Sequence, residues 1–154
     1  MTDNEFKIAL FSTADKQEIL DLLGRAELPV GDLTDETMKN FMVAKGKDGT
    51  VVGVIGVEIF AEKGLLRSLA VDSACRGKGL GTLLTSRIET FAWRLGIRTL
   101  YLLTLTASDF FSKLGYEMVQ RDRAPESIQN TAEFKSLCPV SAVCLFKVLD
   151  FAPD

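Results

Sequence analysis

The stretch Leu65-Leu66-Arg67-Ser68-Leu69-Ala70-Val71, followed by Arg76-Gly77-Lys78-Gly79-Leu80-Gly81-Thr82, decides the fold of this chain. An apolar strand runs into a glycine-rich basic turn, and an amphipathic helix begins directly after it. A helix N-terminus offers unpaired backbone N–H groups and a partial positive charge. Arg76 and Lys78 add full charges, so the stretch predicts a site for a phosphate-bearing ligand.

The spacing of the turn excludes two common phosphate motifs. A Walker A loop needs Gly-Lys-Ser/Thr, whereas Lys78 is followed by Gly79. A dinucleotide fingerprint needs G-x-G-x-x-G, and here Gly81 comes one residue early. The turn instead fits Arg/Gln-x-x-Gly-x-Gly/Ala, with Arg76 in first place. The alternative is a glycine-rich turn that only starts a helix.

Composition restricts the class of protein. The chain has 154 residues, 47% of them hydrophobic, which predicts one domain over residues 1–154. The net charge of −3 predicts that nucleic acid is not a partner. No apolar run approaches the length of a membrane span, so no membrane partner is predicted either. The acidic start at residues 1–5 is unlike a signal peptide, and three unevenly spaced cysteines indicate reduced thiols, so a cytoplasmic location is expected.

The chain contains no histidine. A Ser-His-Asp or Cys-His centre therefore cannot be built within it. Histidine-ligated zinc is excluded too, and the cysteine spacing matches no structural zinc site, so no metal is predicted. A general base must be another group, such as a carboxylate.

The apolar periodicity predicts a mixed α/β sheet with helices on both faces. The expected strands cover residues 6–11, 41–45, 51–60, 65–71, 99–105, 116–120 and 141–149. Helices are expected after Ser12-Thr13, near 34–39, over 80–95 and over 107–114, with 125–138 irregular or helical. The strand, helix and strand from Leu65 to Leu105 form one right-handed parallel crossover.

Three linked pieces together carry a family resemblance: the strand ending at Val71, the Arg76–Gly81 turn, and the short helix ending Leu114-Gly115-Tyr116. Over roughly residues 6–149, the chain resembles the GNAT N-acetyltransferases and their acyl-CoA N-acyltransferase fold. The runs Leu66–Val71 and Thr131–Pro139 further resemble a bacterial subgroup known as arsenic-resistance-associated N-acetyltransferases, which is related to the acetyltransferase domain of N-acetylglutamate synthases.

The resemblance implies acetyl-CoA as co-substrate. Backbone groups of Leu69 and Val71 would pair with the pantetheine arm, where the strand splays from its neighbour. The Val71 N–H would also polarise the thioester carbonyl. The loop would hold the pyrophosphate, and the full set of expected cofactor contacts is Leu69, Ala70, Val71, Arg76, Gly77, Lys78, Gly79, Leu80, Gly81, Thr82, Thr104 and Phe111.

Glu58, near the end of the preceding strand, is the first candidate for the proton acceptor. Its alternative role is a solvated strand-end carboxylate. Arg67 stands in an apolar strand and could bind a substrate carboxylate in bidentate fashion, or it could belong to an ion pair. Glu133 is a second acidic candidate for substrate binding, with an exposed helix carboxylate as the alternative. Arg121 and Arg123 are further candidates for a carboxylate or anion contact, with a position in a solvated loop as the expected alternative.

These residues predict an N-acetyltransferase that acts on the primary amine of a small molecule, with an amino acid or an analogue as acceptor. Phe110-Phe111 stands where many relatives carry a tyrosine acid, which keeps open a non-catalytic acyl-CoA-binding or sensor module. A third alternative is arsenical binding by Cys75, Cys138 and Cys144. The oligomeric state is predicted as monomer or homodimer.

Overall fold

The computed structural model describes residues 5–151, so residues 1–4, which hold most of the predicted acidic start, and residues 152–154 lie outside it. The apolar segments form seven strands within these residues. They are β1 (Lys7–Leu10), β2 (Phe41–Lys45), β3 (Val51–Phe60), β4 (Lys63–Val71), β5 (Thr99–Thr104), β6 (Glu117–Val119) and β7 (Val143–Val148). The helices are α1 (Lys16–Arg25), α2 (Asp35–Met38), α3 (Leu80–Arg94), α4 (Ser108–Lys113) and α5 (Glu126–Gln129), followed by a π-helix over Glu133–Leu137.

The strands hydrogen-bond in the order β1-β2-β3-β4-β5-β7-β6. The ladder of β4 with β5 is parallel, as expected for a crossover through α3, whereas β7 pairs antiparallel with both β5 and β6. The predicted mixed α/β fold is thereby confirmed.

The contacts divide the chain into two compact units. The first holds residues up to Val57 together with Ser68–Ile88, and the second holds Glu58–Arg67 together with residues from Glu89 onwards. The chain passes from one unit to the other within β3, β4 and α3. The single domain over residues 1–154 stays a prediction.

The first unit packs helix α1 against strands β2 and β3. The apolar stripe of α1 supplies Ile19, Leu22 and Leu23, as its 3.6-residue periodicity predicts. Phe41 of β2 is fully buried beside them. Ser12, expected to cap the helix, instead caps the short 3₁₀ turn Thr13–Asp15 that leads into it.

Residues Asp48 and Gly49 join β2 and β3, as their order in the sequence predicts. The Gly49 N–H donates to the Gly46 carbonyl at 3.0 Å, and Gly49 has a φ of 85°. The Asp48 carboxylate accepts the Thr50 N–H at 3.0 Å, and hydrogen bonding with Thr50 lowers the pKa of Asp48. The register of the two strands shifts between Ala44 and Lys45, and beyond this irregularity Phe41 lies opposite Gly56.

The second unit has a core of its own. Its buried members are Leu65, Ala124, Ile128, Phe134 and Cys144. The segment 125–138, for which the sequence predicts irregular or helical structure, therefore contributes Ile128 and Phe134 to a core that includes β4 and β7. Within residues 5–151, no helix is both long and apolar enough to cross a bilayer.

Candidate functional site

The glycine-rich turn predicted to bind phosphate lies directly before α3 in the first unit. Residues 76–79 are exposed, and Leu80, the first residue of the helix, is buried. Gly77 and Gly79 have φ values of 84° and 78°, a region that strongly favours glycine. The Leu83 N–H donates to the Gly79 carbonyl at 3.0 Å, so the helical hydrogen bonds begin at the turn. The arrangement presents backbone N–H groups and two cations at one helix N-terminus.

Asp72 fixes the chain just before this turn. Its N–H donates to the Val52 carbonyl at 2.8 Å, and its carboxylate accepts the Ala74 N–H at 3.0 Å. Arg25 of α1 lies 3.6 Å from the same carboxylate. The turn therefore starts from an anchored residue. Further along, the hydroxyl of Thr85 donates to the Gly81 carbonyl at 2.8 Å.

The two halves of strand β4 differ in their pairing with β5 and in their backbone conformation. Its parallel register with β5 runs from Lys63–Thr99 to Leu65–Tyr101, although β4 itself continues to Val71. Ser68 has a φ of 61°, a strained value for a residue other than glycine. Ala70 is buried, and Leu69 and Val71 are half-buried. The cofactor roles of these three residues stay predictions.

Arg67, Glu58 and Glu133 form one cluster in the second unit. The Arg67 Nη1 donates to Glu58 Oε2 at 2.6 Å, and the Arg67 Nε lies 3.3 Å from Glu133 Oε2. The Arg67 side chain is fully buried, while 20% of the Glu58 side chain and 5% of the Glu133 side chain are exposed. The sequence singled out all three residues but did not predict that they touch. Their substrate and catalytic roles stay predictions.

The segment that carries Glu133 is held by Arg121. Its Nη1 donates to the Pro139 carbonyl at 2.6 Å, and its Nη2 donates to the Phe134 carbonyl at 2.9 Å. The guanidinium also lies 5.6 Å from the centre of the Phe134 ring. This differs from the solvated position expected for Arg121. No local pattern indicates it, because the partners are backbone carbonyls far along the chain.

Thr104 and Phe111 also belong to the second unit. The Thr104 hydroxyl accepts the Ala107 N–H at 2.9 Å, which begins the turn into α4. Phe111 is 6% exposed and contacts the Phe110 and Tyr116 rings edge to face. The predicted contacts of Thr104 and Phe111 with the cofactor stay predictions.

Tyr116 packs in the interior, as its place after Leu114-Gly115 indicates. Its hydroxyl donates to Glu89 Oε2 at 2.7 Å, and the Lys147 ammonium lies 3.1 Å from both oxygens of the same carboxylate. Burial, with the Glu89 carboxylate second, raises the pKa of Tyr116. This phenol therefore acts as a neutral hydrogen-bond donor within the fold.

The three cysteines differ in exposure. Cys144 is buried, whereas Cys75 and Cys138 are half-buried. Burial raises the pKa of the Cys144 thiol to about 11, against an opposing effect of Arg121. Within the described part of the chain, no three Cys, Asp or Glu side chains are arranged to hold a metal ion.

Comparisons with known proteins identify the family. Residues 38–118 match the model of the acetyltransferase (GNAT) domain. An N-acetyltransferase of Chlorobaculum tepidum, itself uncharacterised, is 32% identical over 71% of this chain and 68% of its own length. An amino-acid acetyltransferase of Pseudomonas syringae is 30% identical over 68% of this chain, which spans 24% of that enzyme.

Solved structures share the fold. N-acetylglutamate synthase from Neisseria gonorrhoeae, in complex with coenzyme A and N-acetyl-glutamate, superposes with a TM-score of 0.83 at 21% identity. That match covers 95% of this chain and 35% of the synthase. Rv2747 from Mycobacterium tuberculosis, also in complex with CoA, has a TM-score of 0.79 at 22% identity, covering 93% of this chain and 99% of that protein. The family model and the Chlorobaculum relative together show that this chain belongs to the GNAT acetyltransferase family.

Proposed function

We propose that this protein transfers an acetyl group from acetyl-CoA to the primary amine of a small molecule. The observation that carries the proposal is the exposed Arg76–Gly79 turn at the start of α3. Its two positive-φ glycines and two cations suit a pyrophosphate. Family membership and the CoA-bound structural neighbours support the same donor. A cytoplasmic location fits this cofactor.

The donor would be held by β4 and the turn that follows it. The N–H groups of the Arg76–Thr82 loop would bind the pyrophosphate. Backbone groups of Leu69 and Val71 would pair with pantetheine, with Ala70, Thr104 and Phe111 as further contacts. The Val71 N–H would donate to the thioester oxygen as negative charge develops there, an interaction worth about 3 kcal/mol in comparable sites.

The proposed chemistry is direct attack. Glu58 accepts a proton from the substrate ammonium group, because amines with pKa values of about 8 to 10.4 are mostly protonated at neutral pH. The freed nitrogen lone pair forms the C–N bond to the acetyl carbon, and the C–S bond breaks. The second amine proton passes to the departing thiolate. A thiol pKa of about 8.5 makes this leaving group adequate even though Phe111 supplies no phenol.

The acceptor proposed is an amino acid or an analogue of one. The Pseudomonas amino-acid acetyltransferase and the gonococcal synthase support this choice, although the chain spans a third or less of each at this level of identity. The resemblance of Leu66–Val71 and Thr131–Pro139 to the arsenic-resistance-associated subgroup adds arsenic- and phosphorus-containing amino acids to the candidates. The protein would work as a monomer or a homodimer.

One experiment tests the donor and the reaction together. CoA release is followed over a panel of amines, and acetyl-CoA affinity is measured for Gly79→Ala and for the matched control Gly49→Ala. Both glycines have a φ near 80°, at 78° and 85°, so both substitutions impose similar backbone strain. We expect Gly79→Ala to weaken acetyl-CoA binding about tenfold or more, equal to about 1.4 kcal/mol, and Gly49→Ala to leave it unchanged.

The outcomes separate the alternatives. Thiol release with at least one amine supports the acetyltransferase. Stoichiometric acetyl-CoA binding without release on any amine would support the acyl-CoA-binding module instead. Equal affinities for the two glycine variants would overturn the role of the loop.

A further inference from the structure

The Arg67 guanidinium is already occupied on two sides by carboxylates of the chain. Its Nη1 meets Glu58 at 2.6 Å and its Nε faces Glu133 at 3.3 Å. Arg67 and Glu133 also make additional contacts. Bidentate capture of a substrate carboxylate needs two parallel N–H groups from one edge of the fork. The edge that bears Nε is engaged by Glu133, and one nitrogen of the far end is engaged by Glu58.

We propose that Arg67 is a positioning residue that orients Glu58 toward the amine acceptor, and that Glu133 holds Arg67 in place. This inference rests on the proposed function, because it assigns Glu58 the role of proton acceptor. It gives Arg67 a different task from the substrate-carboxylate contact that the sequence predicts.

The exposures within the cluster assign the three roles. Glu58 keeps 20% of its side chain accessible, so it is the member that solvent or an amine can reach. The Glu133 side chain is 5% exposed, and the Arg67 side chain is fully buried. A buried guanidinium is tolerated only when it is paired, and Glu133 supplies the interior partner. Because one Glu58 oxygen is fixed by Arg67, the direction of the carboxylate is set by the protein.

The backbone around Glu133 is fixed on both sides. The Cys138 N–H donates to the Glu133 carbonyl at 3.0 Å, and the Phe134 N–H donates to the Thr131 hydroxyl at 3.4 Å. Arg121 binds the Phe134 carbonyl at 2.9 Å, and the Phe134 ring is part of the second core. Glu133 is therefore a stationary anchor, which suits a role in orienting Arg67.

The charges of the cluster set the expected effects of substitution. Glu58 pairs with Arg67 from β4 and, through Arg67, faces Glu133 from the π-helix. Removing the cation takes away the donor that directs the Glu58 carboxylate and leaves two carboxylates close together. Removing Glu133 instead leaves Arg67 without its interior partner, so the guanidinium is no longer held toward Glu58. Both substitutions should therefore lower turnover rather than the affinity for the acceptor.

The test uses Arg67→Gln, Arg67→Lys, Glu133→Gln and Glu58→Gln with two acceptors, an active amino acid and its carboxyl amide. We expect Arg67→Gln to lower kcat about tenfold or more on both acceptors and to leave KM for both unchanged. Arg67→Lys should restore part of kcat. Glu133→Gln should also lower kcat on both acceptors. Acetyl-CoA affinity should stay unchanged in every variant.

A double-mutant cycle separates positioning from independent action. In the Glu58→Gln background, Arg67→Lys should cost nothing further in kcat, because its target is already lost. Additive losses would overturn the inference. A rise in KM confined to the amino acid, with kcat unchanged, would also overturn it and restore the carboxylate contact. If the Arg67→Gln variant does not fold, the kcat values of Arg67→Lys and Glu133→Gln test the inference instead. Absence of thiol release by the unsubstituted protein would remove the proposed function itself.

Discussion

At the scale of the residue, Tyr116 shows how one polar atom is kept in the interior. Its hydroxyl donates to a Glu89 carboxylate whose side chain is 9% exposed and which also pairs with Lys147. A buried carboxylate needs each of its hydrogen-bond partners, because an oxygen that loses one has little access to water as a replacement. The ring alone would satisfy packing, so the hydroxyl contributes a separate stabilisation.

Substitution of Tyr116 by Phe should therefore destabilise the fold by about 1.5 to 3 kcal/mol, the usual range for a hydrogen bond to a charged group. The measurement is urea denaturation at neutral pH. Tyr101→Phe is the matched control, because it removes the same atom from a half-buried tyrosine and should change stability by about 0.5 kcal/mol or less. Equal losses for both variants would contradict the role assigned to the hydroxyl.

The sequence predicts which residues are functional candidates more readily than it predicts which residues contact each other. Arg67 is recognisable as a charged residue within an apolar strand, whereas the family resemblance draws attention to Glu58 and Glu133. Their contact depends on a π-helix that brings Glu133 to a strand sixty-six positions earlier in the chain. Glu89, likewise, has the sequence context of an ordinary position on an amphipathic helix. Only the folded chain shows that it faces Tyr116.

At the scale of the element, strongly patterned segments were predicted closely. The bounds of β2 and β3 agree with the structure residue for residue. Two apolar runs joined by the Asp48-Gly49 turn predict both strands. The segment from Pro125 to Cys138 carries no comparable pattern, and its sequence predicts irregular or helical structure. Its helices are stabilised by Phe134, Ile128 and the bonds of Arg121 to backbone carbonyls, which are long-range contacts.

The β2–β3 pair gives a sharp prediction for Gly56. A Cβ at this position would lie 2.2 to 2.5 Å from three atoms of the Phe41 ring, which is fully buried opposite it. Gly56→Ala should destabilise the protein by about 1 to 3 kcal/mol, since the ring has no space to move into. Gly24→Ala in α1 is the control, because nothing lies within 4 Å of its Cβ.

The control should act in the opposite direction. Alanine in an open helical position stabilises by about 0.5 to 1 kcal/mol relative to glycine, because the unfolded chain loses fewer conformations on folding. Thermal denaturation of both variants measures the difference. A Gly56→Ala variant as stable as Gly24→Ala would show that Phe41 repacks without cost.

At the scale of the whole molecule, the fold class followed from the order of patterned segments, but the strand order did not. Local periodicity places a strand at 141–149 and cannot say that it pairs antiparallel with β5 on one side and β6 on the other. Such pairings are decided by which apolar faces can be buried together. The two cores, around α1 and around the segment after β6, are the outcome of that competition.

The second unit also determines how stability should depend on alkaline pH. Burial raises the pKa of Cys144 from 9.0 to about 11 and raises the pKa of Tyr116 as well. Both groups thus bind their protons more tightly in the folded chain than in the unfolded one. Their contribution to the free energy of unfolding is complete below about pH 9 and is lost as pH rises toward the folded pKa of Cys144.

We therefore expect the free energy of unfolding, measured with urea between about pH 8 and pH 11, to fall as pH increases. Cys144→Ala should lower stability at pH 8 through lost packing, yet it should flatten the decline above pH 9, because the shifted thiol is gone. Cys75→Ala, which removes a half-buried thiol from a surface turn, is the matched control and should retain the original slope. Parallel declines in Cys144→Ala and the unsubstituted protein would contradict the burial of this thiol, because a thiol that titrates alike in folded and unfolded chains adds no slope.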